Sequence, residues 1–233
     1  ISLVDAIIQK KKEYHSISQD IKDYIDFKNA ELIRLDDFLK EATESFEPLS
    51  SLKSKYDNFD ALRIRIERDE AIIDYGIRRK VEGYELEDEE NEEEEIKSKY
   101  IVEWQEAGKG QIKDMEAIEF LAEILKGTRN FSKAKQKTLW QKIAEVKVPE
   151  FNEKVKKEFL KFKSALQKAK ALDEEITKID RAIDRLVYDL YGLTEDEIQV
   201  VEKSVWGEKF EDMYKKLPSK ENALKLVEVT KNG

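Results

Sequence analysis

The residues best suited to chemistry in this sequence are lysines and arginines gathered in one stretch. From Lys126 to Lys170 there are 14 basic and four acidic residues, a local charge of +10. Lysines spaced along consecutive helices can follow a phosphate backbone and release its counterions, which gives affinity without base reading. Simple solubility is the alternative explanation. The candidates for contact with a phosphate backbone are Arg129, Lys133, Lys135, Lys137, Lys142, Lys154, Lys156, Lys157 and Lys161.

Other kinds of chemistry have little support in the sequence. His15 is the only histidine, so a histidine metal site or a histidine-based triad would rest on it alone. The sequence has no cysteine, which excludes thiolate metal sites and disulfides and fits a reducing cytoplasm. The phosphate loop G-x-x-x-x-G-K-[ST], the fingerprint G-x-G-x-x-G and the elbow G-x-S-x-G are missing. We therefore predict no complete catalytic site, metal or cofactor within this chain.

Acidic residues are concentrated in a separate run. From Glu85 to Glu95 there are nine acidic residues and no basic one, which equals the whole net charge of −9. A run of like charges repels itself and usually stays solvated. We interpret it as a flexible surface loop, with a regulatory or DNA-mimicking segment as the alternative.

Helical periodicity indicates how these residues are positioned. Apolar residues from Val155 to Leu190 recur in ten steps over 35 residues, a mean spacing of 3.5. That is the period of a coiled-coil seam, and an exposed helix of this length needs a partner. A helix over residues 2–30, capped by Ser2, is the predicted antiparallel partner.

The other elements follow from shorter patterns. Alternating apolar residues predict a strand at 62–66, a returning strand at 71–77 across a turn at 68–70, and a third strand at 100–104. Pro149 is predicted in the first turn of the long helix. Further helices are predicted at 30–43, 112–126 and 132–146, from 194 to 203, over 207–216, and after Pro218 as far as 229.

Together these patterns predict a mainly α fold with a small antiparallel β element and antiparallel packing of the long helix, like that of a coiled coil. The predicted segments are N-terminal helices at 1–60, a β element with the acidic loop at 61–110, a helical domain at 111–203 and a helical tail at 204–233. No apolar run is long enough to cross a membrane. Because the sequence begins with Ile1 instead of Met, we interpret it as a fragment of a larger cytoplasmic protein.

One segment resembles a known family. Residues 183–202 read IDRLVYDLYGLTEDEIQVVE. This run is similar to a segment near the C-terminus of type IIG-like restriction-modification adenine-specific DNA methyltransferases, where it follows the target-recognition region. The matching residues include Leu186, Tyr188, Leu190, Tyr191, Gly192, Thr194 and Glu197.

The resemblance implies a non-catalytic part of such an enzyme that supports target recognition. The methyltransferase tetrapeptide [NDS]-P-P-[YFW] and a cofactor loop are missing from this sequence, so S-adenosylmethionine is expected only for the parent protein. Leu186 and Leu190 would be core residues, Gly192 a helix stop, and Thr194 with Glu197 a capping box. The implied partners are double-stranded DNA and the remainder of the parent protein. The alternative is a structural coiled-coil module that binds another helix or forms a homo-oligomer.

Overall fold

The computed structural model describes residues 2–49, 59–80, 100–127, 131 and 136–232. The acidic run Glu85 to Glu95 lies outside these residues, as do Arg129, Lys133 and Lys135. The chain forms two compact units. We call residues 1–20 with 160–233 the terminal unit, and residues 21–159 the sheet unit.

Eight α-helices and six strands occur in the described residues. The helices are α1 (Leu3–Ser16), α2 (Leu35–Ala42), α3 (Met115–Gly127), α4 (Leu139–Ala144), α5 (Glu153–Leu190), α6 (Glu195–Trp206), α7 (Phe210–Tyr214) and α8 (Lys220–Asn232). The strands are β1 (Leu32–Arg34), β2 (Thr43–Pro48), β3 (Ala61–Glu67), β4 (Glu70–Lys80), β5 (Tyr100–Ile112) and β6 (Lys147–Pro149). None of the helices among these residues is long and apolar enough to span a membrane.

The prediction of a mainly α fold is wrong, because β structure forms two antiparallel sheets. One sheet has four strands in the order β2-β5-β4-β3, and the other pairs β1 with β6. The fold is therefore a mixture of α and β. The third predicted strand stopped at residue 104, but β5 continues to Ile112 through a glycine-rich stretch. Glycine is required there: a Cβ on Gly110 would lie 2.3 Å from the Ser45 carbonyl oxygen of β2.

The β3–β4 hairpin is confirmed. Glu67 pairs with Glu70, so Arg68 and Asp69 form a two-residue turn, and Arg68 takes a left-handed φ of 58°. Such turns suit the twist of antiparallel strands. One face of the hairpin is buried in the sheet unit through Leu62, Ala71, Ile73 and Tyr75.

The first predicted helix is correct at its start and wrong at its end. Ser2 and Asp5 form a reciprocal capping box at the start of α1. The helix ends at Ser16 instead of residue 30, and Ile17 is extended. The Ser16 hydroxyl donates to the Glu13 carbonyl at 2.7 Å, a local bond that competes with helix continuation.

Two further predictions fail where β1 meets β6. Residues 32–34, predicted helical, form β1, and Pro149 pairs with Leu32 at the end of β6 instead of starting α5. Strand pairing between segments so far apart leaves no local signal in the sequence. Helix α5 begins at Glu153, where the Asn152 side chain accepts from the Val155 N–H at 3.1 Å.

The core of the sheet unit contains an aromatic cluster. The ring of Phe120 in α3 stacks on Phe38 of α2 and meets Phe151 and Phe159, with centroid distances of 6.2, 5.0 and 5.4 Å.

The helix predicted at 132–146 is shorter in the described residues, where only α4 is helical, and Thr138 caps it.

The terminal unit confirms the long helix and its partner. Leu3 and Ile7 of α1 lie in one buried cluster with Ile176, Ile179 and Ala182 of α5. Ion pairs show the relative direction of the two helices. Glu13 meets Lys168 at 2.8 Å and Lys11 meets Asp180 at 3.4 Å, so the helices run antiparallel.

Candidate nucleic-acid interface

Three of the candidate lysines are exposed on α5. Lys154, Lys157 and Lys161 all face solvent. Their spacing of three and four residues puts them on one side of the helix. Lys154 lies 4.0 Å from the Glu158 carboxylate and interacts electrostatically with Asp26, and the described residues give no ion-pair partner to Lys157 or Lys161. We call Lys154, Lys157 and Lys161 the lysine face.

The other described candidates are less available. Lys142 of α4 is only 2% exposed, so its place among the phosphate contacts is wrong in this conformation. Leu139, Ile143 and Ala144 of the same short helix are buried as well, and charge counting along the sequence cannot detect this. Lys137 pairs with Glu145. Lys156 meets Glu116 at 3.1 Å, and that hydrogen bond raises the pKa of Lys156, which keeps it protonated and engaged within the sheet unit.

The family-like segment forms the end of α5 and the start of α6. Gly192 has a φ of +69°, its N–H donates to the Asp189 carbonyl, and the Leu193 N–H donates to the Tyr188 carbonyl, both at 3.1 Å. This is a Schellman motif, which satisfies the last carbonyls of a helix. Thr194 and Glu197 then form the expected capping box, and both the helix stop and the cap are confirmed.

The roles expected for two residues of this segment need correction. Leu190 is 82% exposed and Tyr191 is 76% exposed, so Leu190 is not a core residue. Leu186, one turn earlier, packs against the cluster of α1 and α5 as expected. Helical periodicity predicts which side of a helix packs against a partner, but not where along the helix that partner ends.

A buried polar cluster joins α5 to α6. Glu202 is fully buried and accepts from the Arg181 guanidinium at 2.6 Å and from the Tyr188 hydroxyl at 2.7 Å. Arg181 also donates to Asp184 at 2.8 Å, and its guanidinium carbon lies 5.7 Å from the centroid of the Trp206 ring. We call Arg181, Tyr188 and Glu202 the α5–α6 joint.

Burial shifts the proton affinities around this joint. It raises the pKa of Tyr188 to about 12, and the hydrogen bond to Glu202 acts in the same direction. Burial also raises the pKa of Asp184 despite the opposing charge of Arg181. Sequence analysis missed the joint, although Glu202 lies one helical turn after the buried Ile198 and therefore shares its side of α6.

A second cluster lies on the sheet face opposite the buried one. Asp74 of β4 is only 2% exposed and holds two arginines of β3, accepting from Arg63 Nε at 2.8 Å and from Arg65 Nε at 2.6 Å. The Arg63 guanidinium lies 4.3 Å from the centroid of the Trp104 ring. Gly76 makes room for that ring, because a Cβ there would lie 3.2 Å from it. The hairpin register pairs Arg63 with Asp74, so the turn position could have revealed this cluster.

The residues that the structure describes bring together no group of three or more acidic or histidine side chains able to hold a metal ion. Comparisons with protein-family models, curated proteins and solved structures gave no match. The evidence for function is therefore the family-like segment and the geometry of these side chains.

Proposed function

We propose that this chain is a non-catalytic part of a restriction-modification DNA methyltransferase that supports target recognition and contacts the DNA phosphate backbone. The observation that carries the proposal is the lysine face, where three exposed lysines share one side of α5. At 1.5 Å of rise per residue, these lysines span about 10 Å along the helix. That length suits successive phosphates of one strand, with long side chains closing the remaining gaps.

The family-like segment supplies the other support. The polar side chains of its helix stop, its cap and the α5–α6 joint make structural contacts, as expected of a scaffold. Methyl transfer, with S-adenosylmethionine, would belong to the parent protein. The partners of this chain would then be duplex DNA and the remainder of that protein.

Fluorescence anisotropy with a labelled 20-base-pair duplex tests the proposal. We expect binding at low salt that weakens steeply as salt rises, because each phosphate contact releases about 0.9 counterions. Replacing Lys154, Lys157 and Lys161 with Gln should reduce the slope of log affinity against log salt by about 1 per lysine in contact.

The matched control replaces three exposed lysines elsewhere with Gln: Lys178, Lys203 and Lys209. It makes the same change in net charge but leaves the lysine face intact. The two triple variants should therefore differ clearly. An equal effect of the two triple variants would mean that the lysine face acts only through its charge. No binding at low salt would refute the proposal.

Self-association is the second candidate, and one observation favours it. Val187, Leu190 and Tyr191 continue the apolar side of α5 but are 40%, 82% and 76% exposed. The seam from Ile176 to Ala182 is already covered within one chain. A homodimer would therefore use this last turn. Sedimentation of the chain and of a Leu190→Glu variant over a range of concentrations distinguishes the candidates, because only self-association predicts a dimer that the substitution abolishes.

A further inference from the structure

Arg63 is an exposed arginine whose orientation is already fixed. Its side chain is 39% exposed, its Nε donates to the buried Asp74, and its guanidinium carbon lies 4.3 Å from the centroid of the Trp104 ring. The two terminal nitrogens have no partner among the described residues and remain as a pair of coplanar donors.

Arg65 provides a contrast on the same strand and the same face. Its Nε and one terminal nitrogen donate to Asp74 at 2.6 and 3.1 Å, and its other terminal nitrogen donates to Glu67. The Asp74 hydrogen bonds raise the pKa of Arg65 further above its usual value. The donors of Arg65 are therefore engaged within the sheet, whereas the terminal nitrogens of Arg63 remain available for a ligand.

The local charge decides which acceptor fits these donors. Arg63 and Arg65 contribute two positive charges, while Asp74, Glu67 and Glu106 around Arg65 contribute three negative ones. A net charge of about −1 at neutral pH does not attract a phosphate or a carboxylate. A neutral ligand with two adjacent acceptors suits the site better. The major-groove edge of guanine, with O6 and N7, is such a ligand and is the commonest specific partner of arginine in DNA.

We propose that Arg63 is a specificity-determining residue that donates to O6 and N7 of a guanine in the major groove. This inference rests on the proposed DNA-binding function. Arg63 lies on β3, the edge strand of the four-stranded sheet. Strands are among the elements that proteins place in a groove of DNA. The lysine face would supply affinity, and Arg63 would supply sequence preference.

Selection from a library of random DNA duplexes tests the proposal. The wild-type chain should enrich sequences with a guanine at one fixed position. Arg63→Lys keeps the charge but loses the paired donors, so it should lose the preference at that position by roughly 5- to 150-fold. Its affinity for unselected DNA should stay within about twofold of wild type. Arg63→Gln is tested in the same way as a second variant. Circular dichroism melting establishes that both variants are folded.

The outcomes separate this inference from the function on which it rests. Binding to DNA with no enriched guanine, or with a preference unchanged in both Arg63 variants, overturns the role of Arg63 and leaves DNA binding intact. An equal loss for all sequences also overturns it, because that result assigns Arg63 to a phosphate. A chain that binds no duplex at low salt refutes both proposals.

Discussion

Arg181 of α5 donates to Glu202 of α6 at 2.6 Å, and these side chains are 2% and 0% exposed. The two residues are 21 positions apart in sequence, so this contact fixes how the chain returns after the turn at Gly192. Both partners of this ion pair are almost fully buried.

We expect Arg181→Met to destabilise the terminal unit by about 3–5 kcal/mol, because it leaves the buried Glu202 carboxylate without its counter-charge. The double variant Arg181→Met with Glu202→Leu should recover most of that loss, since two apolar side chains need no partner. Urea unfolding followed by Trp206 fluorescence measures both, in a background where Trp104 and Trp140 are Phe. A double variant no more stable than the single one would contradict this account.

Tyr188 predicts a dependence on alkaline pH. Its pKa rises from 10.0 to about 12 in the folded chain, so the folded state holds the proton more tightly than the unfolded state. Its contribution to stability is therefore complete below pH 10 and is lost as the pH rises through about 12. Tyr188→Phe should lower the urea midpoint at pH 8, and the difference from wild type should shrink at pH 11. A difference that stays constant between these pH values would show that folding does not raise the pKa of Tyr188.

Gly76 predicts a steric effect beneath Trp104. A Cβ there would lie 2.4 Å from Val102 Cγ1 and 3.2 Å from the Trp104 ring. Gly76→Ala should therefore destabilise the sheet unit by about 1–3 kcal/mol and change the Trp104 fluorescence. Adding Val102→Ala removes the closer contact and should restore much of the stability. If the double variant is no more stable than Gly76→Ala, the contact with Val102 is not the cause of the loss.

The elements that the sequence predicted correctly have local signals. The 3.5-residue period located α5, the alternation of Leu62, Ile64 and Ile66 located β3, and the Thr194-x-x-Glu197 pattern located the start of α6. The failures have long-range causes. Pairing of β1 with β6 turned a predicted helix into a strand and moved Pro149 out of α5.

The same distinction applies to the candidate sites. Charge counting found Lys154, Lys157 and Lys161, which are exposed, but it also selected Lys142, which is buried. Whether a lysine faces solvent depends on its position relative to the core, which is set by tertiary packing. Arg63 and Glu202 were missed because their partners lie in other elements of the chain.

Lysine modification with and without DNA tests the central claim most directly. The chain is treated with a lysine-acetylating reagent, alone and with excess duplex at low salt, and each site is quantified by mass spectrometry. We predict that DNA protects Lys154, Lys157 and Lys161 severalfold, while Lys178, Lys203 and Lys209 react at unchanged rates. Equal reactivity of the lysine face with and without bound DNA would contradict the account.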